Sequence, residues 1–221
     1  MFLLKYSDQN GVLSAEGGEG PLNIDYAERA KLFLDTYKGQ AGSNAAGEAY
    51  NTFALSQLGT TCSTYPYGYT GAQARPCIFL KFNKIWGWEP TPIEEQDFAD
   101  NPEWPESFKK HWETQGNKNK VWVDCRGRYA ADQEVVDKAM KYFPEDQGFD
   151  VKYFPFAGNK GEDKKDYQSP LVAVQFDIPE ENVGQLIHVE CRAYYQGVKH
   201  ETKSKAGLVQ FEVMLKHSLD H

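Results

Sequence analysis

Near the carboxy terminus the chain runs Leu186-Ile187-His188-Val189-Glu190-Cys191-Arg192-Ala193-Tyr194. Ile187, Val189, Cys191 and Ala193 alternate with His188, Glu190, Arg192 and Tyr194. A period of two predicts a strand with one buried face. Cys191 falls on the apolar face, where a half-cystine tying two sheets together would lie.

Working outward, residues 171–177 and 208–215 read as further strands, the latter with Val209, Phe211, Val213 and Leu215 inward. Upstream, strands are expected over 51–57 (Phe53 and Leu55 on one face), 77–85 and 121–125. In 77–85, Ile78, Leu80 and Phe82 share a face and Phe79 takes the other. Trp86-Gly87-Trp88 closes it, and Pro90 and Pro92 forbid its continuation. Tyr26, Ala30, Phe33, Leu34 and Tyr37 have helical spacing, which predicts a helix over 25–38 with Asp25 and Glu28 as a capping box and Gly39 as its stop. Shorter helices are expected near 105–114 and over 132–141, the latter using Val135, Val136, Ala139 and Met140. Residues 1–24 read as a polar, Gly-rich lead-in, 25–217 as one domain, and 218–221 as a tail. Residues 142–156 read as an aromatic loop and 159–166 as a charged one. Short strands with few helices predict a mainly β, antiparallel sandwich with long insertions.

The chain has 221 residues and a formal net charge of −8, from 24 basic and 32 acidic side chains. That balance argues against nucleic acid and against an anionic membrane surface, both of which need a concentrated basic footprint. No run of apolar residues is long enough for a transmembrane helix, and none reads as a secretory signal. Cys62, Cys77, Cys125 and Cys191 lack C-x-x-C spacing, which disfavours zinc and thioredoxin-type chemistry. An even count in a Tyr- and Gly-rich chain favours disulfides, with free buried thiols as the alternative; spacing leaves the pairing open.

A catalytic site should leave a pattern. There is no G-x-S-x-G, H-E-x-x-H, P-loop or G-x-G-x-x-G. His111, His188, His200, His217 and His221 are scattered, and His188 alternates away from the core face of its strand. Glu94-Glu95-x-Asp97 lacks the glycine and ligand spacing of a calcium loop and reads as a solvated face. No catalytic residue, cofactor or metal site is expected. The aromatic-Pro runs at 65–69 and 153–156 are the candidate binding features, since such rings gain by packing on a partner. The competing reading is that they fold back onto their own domain.

Several segments resemble the beta subunit of sodium/potassium-transporting ATPases. They are Arg75-Pro76-Cys77-Ile78-Phe79-Leu80-Lys81-Phe82-Asn83-Lys84-Ile85 with Trp86-Gly87-Trp88, then Val121-Trp122-Val123-Asp124-Cys125-Arg126-Gly127. Tyr142-Phe143, Gly148-Phe149 and Tyr153-Phe154-Pro155-Phe156-x-Gly158 follow. Ser169-Pro170-Leu171-Val172-Ala173-Val174-Gln175-Phe176, the Cys191 strand and a closing strand over 209–215 complete the family's order. The Trp86-Gly87-Trp88 and Val121-Trp122-Val123 variants are similar to the arthropod or nematode branch.

The resemblance implies an immunoglobulin-like sandwich with one or two short helices, disulfides Cys62–Cys77 and Cys125–Cys191, and a non-catalytic role. It implies a plasma-membrane location with this chain on the extracellular face, joined to the membrane through an anchor upstream of Met1. The implied partner is the catalytic alpha subunit of the cation pump, which such subunits stabilise, traffic and modulate. Its contacts would carry over to Tyr153, Phe154, Pro155, Phe156 and Gly158, and to Ser169, Pro170, Leu171 and Val172. The family's usual third disulfide is absent, with Asn51 about where one half-cystine would stand, and no N-x-Ser/Thr sequon occurs. The alternative function is a cell-adhesion domain working by homophilic contacts, which exposed sheet edges would suit.

Overall fold

The computed structural model describes residues 2–3, 12–16, 21–37, 53–70, 73–156, 167–204 and 206–216, with side chains from Tyr26 onward. In chain order the strands are β1 (Phe2–Leu3), β2 (Val12–Glu16), β3 (Cys77–Lys81), β4 (Lys120–Gly127), β5 (Met140–Phe143), β6 (Gly148–Asp150), β7 (Leu171–Phe176), β8 (Ile187–Tyr194) and β9 (Leu208–Lys216). The helices are α1 (Pro21–Leu34), α2 (Gly59–Ser63), α3 (Glu95–Asp100), α4 (Glu106–Thr114) and α5 (Ala130–Ala139).

The strands form a four-stranded sheet, β1-β3-β7-β5, and a five-stranded sheet, β2-β9-β8-β4-β6. Their pairings are antiparallel except for β2 on β9. The mainly β sandwich expected from the short strands is what the chain forms. Val121, Val123, Ile187, Val189, Phe211 and Val213 of one sheet bury against Ile78, Leu80, Val172, Val174 and Phe176 of the other. The rings of Phe176 and Phe211 meet edge to face at 6.0 Å. Burying each such side chain stabilises the fold by about 1.5–3 kcal/mol relative to leaving it in water.

β7 is buried along its whole length. Its neighbour β3 shows why its outer face needs cover: Cys77 is bonded to Cys62 of α2, and Phe79 packs edge-on against Tyr67. A strand covered on both faces reads as an unbroken apolar run, as Leu171-Val172-Ala173-Val174 does.

The second disulfide corrects the expectation of an inter-sheet tie. Cys125 of β4 stands directly opposite Cys191 of β8, with Cα atoms 3.9 Å apart, so the bridge joins neighbouring strands of one sheet. The antiparallel register places both Cβ atoms on the same face, which sequence alternation cannot reveal. The sheets are linked beside it by Tyr142 of β5. Its hydroxyl accepts from the Cys125 N–H at 2.8 Å and donates to the Cys125 carbonyl at 3.3 Å. By loop-closure entropy, a bridge spanning 66 residues contributes about 4 kcal/mol, and one spanning 15 about 3 kcal/mol.

Other boundaries moved. The strand expected over 51–57 is instead a 3-10 turn, Leu55–Leu58, running into α2; residues 51 and 52 lie outside the described set. Phe53 and Leu58 both bury, and an odd spacing would send them to opposite faces of a strand. β3 stops at Lys81 rather than reaching Ile85. β5 starts at Met140, the last apolar residue of the helix expected over 132–141, and runs into the stretch read as an aromatic loop, which also contains β6; the two strands join different sheets. The helix expected at 25–38 opens at Pro21, and β1 and β2 fall within the stretch read as a lead-in. The side chain of Asp25, the expected cap, lies outside the described set, as do Gly39, His217, His221 and the charged loop 159–166.

The acidic insertion folds into α3 and α4. Glu94 N–H donates to Asp97 Oδ2 at 2.7 Å, so two of the residues read as a solvated acidic face close the first turn of α3. Phe98, Trp104, Phe108 and Trp112 then pack onto Trp122 and Tyr194, on the outer face of the five-stranded sheet. No helix among the described residues is long and apolar enough to cross a membrane.

Candidate docking surface

The aromatic segment begins where β6 ends. Asp150 Oδ1 accepts the Lys152 N–H at 3.0 Å and turns the chain into a short 3-10 helix, Val151–Tyr153. The turn sends Tyr153 inward. Its ring meets Phe53 edge-on at 5.7 Å, and its hydroxyl accepts from Gln57 Nε2 at 3.3 Å. Phe154 is half-buried between Phe82 and Trp88, 6.0 and 5.3 Å away. Pro155 and Phe156 are partly exposed, while Gly158 lies outside the described residues.

Ser169, Pro170, Leu171 and Val172 are buried. The Ser169 carbonyl accepts the Tyr37 hydroxyl at 2.8 Å, fastening the turn after α1 to the start of β7. Burial pushes the Tyr37 hydroxyl pKa well above its usual value. The second aromatic run behaves alike: Tyr67 and Tyr69 are buried, Tyr69 donates to the Cys77 carbonyl, and Tyr65 remains exposed. Most of the rings singled out in the sequence therefore fold onto their own domain.

What reaches solvent is a neighbouring ledge. Phe156 forms a parallel bridge with Trp86, the Gly87 N–H donates to the Phe156 carbonyl at 2.8 Å, and the two rings stand 6.4 Å apart. Tyr167 packs on the other side of Phe156 at 5.1 Å. The Lys84 ammonium lies 5.5 Å from the Phe156 ring and 5.8 Å from Tyr167, where cation–π attraction holds it. Trp86 is 62% exposed and Ile85 47%. In the sequence, Trp86-Gly87-Trp88 reads as the end of a strand and a family motif, and Phe156 as part of a candidate binding run, with nothing to place the two side by side. The signal available was Gly87, whose positive φ of 63° turns the chain outward between two tryptophans.

Two titratable groups away from this ledge are shifted by burial. Burial lowers His200 below the usual imidazole range, and its Nε2 sits 2.8 Å from the Ala193 carbonyl. Burial raises the Asp124 carboxyl, which Arg126 partly offsets at 2.7 Å. A shallow groove lined by Ser56, Gln57, Gly59, Phe143, Pro144, Glu145 and Asp146 gathers two carboxylates and no histidine. Among the described residues no group of three or more His, Cys, Asp and Glu is placed to hold a metal ion.

Comparison with known proteins places this geometry. The model of the family described as sodium / potassium ATPase beta chain matches residues 27–211. The sodium/potassium-transporting ATPase subunit beta-1 of Drosophila melanogaster is 38% identical over 154 residues, covering 67% of this chain and 45% of that protein. Subunit beta-2 of the same organism is 37% identical over 153 residues, or 66% and 44% of the two chains. A probable subunit beta-3 of Caenorhabditis briggsae is 30% identical over 149 residues, or 67% and 39%. The match spans less than half the length of each of these relatives.

Proposed function

The chain belongs to the sodium/potassium ATPase beta chain family, and from that premise we propose that it is the non-catalytic partner of a pump's catalytic alpha subunit. In this reading it stabilises alpha, accompanies it to the plasma membrane and modulates cation transport. Residues 25–217 form its extracellular domain. The observation that carries the reading is the ledge of Ile85, Trp86 and Phe156. Ile85 and Trp86 hold large apolar side chains in water beside the partly exposed Phe156, and such a contiguous patch is suited to a partner that covers it.

The contact proposed for Tyr153, Phe154, Pro155, Phe156 and Gly158 would then work in two ways. Phe156 and Pro155 meet the partner, and Tyr153 with Ser169, Pro170, Leu171 and Val172 holds the segment rigid from behind. Co-expression with alpha, the chain presented on a membrane anchor, followed by affinity purification in mild detergent, tests this. Wild type retains alpha, and Trp86→Ala/Phe156→Ala weakens retention by about tenfold or more. A folded wild-type chain that retains no alpha and self-associates as its concentration rises would replace the pump reading with the adhesion reading.

A further inference from the structure

His188 stands on the outer face of β8 with a carboxylate at each ring nitrogen. Its Nδ1 lies 3.4 Å from Asp132 Oδ2 on α5, and its Nε2 lies 3.6 Å from Glu212 Oε1 on β9. Asp132 is only 4% exposed, and that oxygen has no hydrogen-bond partner among the described residues. The backbone around the ring is fixed. The Arg128 N–H donates to the His188 carbonyl at 2.8 Å, extending the β4–β8 ladder past Gly127. A Cβ on Gly127 would lie 2.2 Å from the Gln133 nitrogen, so glycine is what lets the first turn of α5 sit against β4. Tyr129 closes the side of the site, its ring edge-on to the imidazole at 5.1 Å.

A neutral imidazole has one N–H and one lone pair, so it can donate to one of these carboxylates while its lone pair faces the other. The imidazolium donates at both nitrogens. We propose that His188 is a proton-operated latch: when the ring is protonated it draws Asp132 and Glu212 onto itself and clamps the first turn of α5 to β8 and β9.

The other charges around the ring leave this balance in place. Along β8, Glu190 is engaged by Arg192 at 2.6 Å and by Gln210 of β9 at 2.6 Å. On β4, Arg126 is engaged by Asp124 at 2.7 Å. Arg128, on the link from β4 to α5, lies over the Tyr129 ring at 5.5 Å. The groups that face the imidazole most closely are thus the two carboxylates, each on a different element. Acidification of the surrounding medium would tighten α5 without changing the core behind it.

Amide exchange of the 221-residue chain is compared at about pH 5.5 and about pH 8. Protection of the Val135, Val136 and Ala139 amides is corrected for intrinsic rates and normalised to that of β7. In wild type the normalised protection rises at the lower pH by on the order of threefold. In His188→Gln it stays level, and Asp132→Asn and Glu212→Gln each reduce the gain. A level ratio in wild type, or an undiminished gain in His188→Gln, overturns the latch. If His188→Gln does not fold, the wild-type ring nitrogen resonances decide. Two slowly exchanging N–H protons at low pH support the proposal, and rapid exchange of both overturns it.

Discussion

Between the sheets, β3, β4, β7, β8 and β9 bring together branched side chains from distant parts of the chain, with the Cys125–Cys191 bridge built into one wall. On the outer face of the same five-stranded sheet, α3, α4 and the loop between them supply Phe98, Trp104, Phe108 and Trp112, close in sequence and with no covalent tie. Phe108 stacks on Tyr194 with centroids 4.2 Å apart, and Trp104 meets Tyr194 edge-on at 5.0 Å. Rings pack well here, but the Nε1 atoms of Trp112 and Trp122, the Tyr194 hydroxyl and His111 Nε2 are buried without a hydrogen-bond partner among the described residues. Each such group costs about 1–3 kcal/mol of the packing gain. Area and aromatic content therefore do not by themselves set local stability. A cluster with unanswered polar atoms and no covalent tie should be the part that opens first.

Removing the covalent wall has the largest expected effect. Cys125→Ala/Cys191→Ala should lose about 4 kcal/mol of global stability, read as a lower urea midpoint with the transition still cooperative. A loss confined to one sheet would mean that the bridge holds only its own wall of the core. Phe108→Ala should cost about 3 kcal/mol, within the outer cluster. Amides of α3 and α4 should then exchange faster while those of β7 keep their protection; matched losses in both would make the two cores one cooperative unit.

Tyr142→Phe sharpens the account of how the sheets are joined. It leaves the Cys125 N–H and carbonyl without their inter-sheet partner, at a cost of about 2 kcal/mol by thermal unfolding. No change would mean that water replaces the hydroxyl.

The smallest effect concerns the charged ladder beside the outer cluster. Burial pushes the Glu190 carboxyl up, but hydrogen bonds from Gln210 and Arg192 more than reverse this and leave it below its usual 4.5. A carboxyl lowered in the folded state adds stability above its unfolded value and loses it as pH falls through the folded one. Glu190→Gln should therefore lower stability by under about 1 kcal/mol at neutral pH. The gap to wild type should close as the medium is acidified below pH 4.5. A gap that widens in acid would mean another group carries the effect.

Much of the sandwich was legible because alternation is a local property. Val209, Phe211, Val213 and Leu215 lie inward on β9 as read, and the helical spacing of Tyr26, Ala30 and Leu34 places them in the core. β5 and β6 were hidden because Met140–Phe143 and Gly148–Asp150 are too short to show a period. The outer cluster was hidden because Phe98, Trp104, Phe108 and Trp112 span two helices and an intervening loop, so no single helical period connects them. At the candidate surface, the aromatic segment was visible as composition. Its division into an inward Tyr153 and an outward Phe156 was not, because that depends on Phe53, Gln57 and Trp86 arriving from elsewhere.

The sequence by itself determined the mainly β character, the inward faces of β4, β8 and β9, the amphipathic α1, and, through its ordered motifs, the family. These follow from period, propensity and motif order, which neighbours along the chain decide. Tertiary structure alone decided that Cys125 and Cys191 meet within one sheet and that residues 55–63 coil rather than extend. It also turned most of the candidate partner rings inward and left Trp86 exposed. Those outcomes depend on which distant side chain, hydrogen-bond donor or strand fills the space opposite, and folding brings those groups together without leaving a mark in the local pattern.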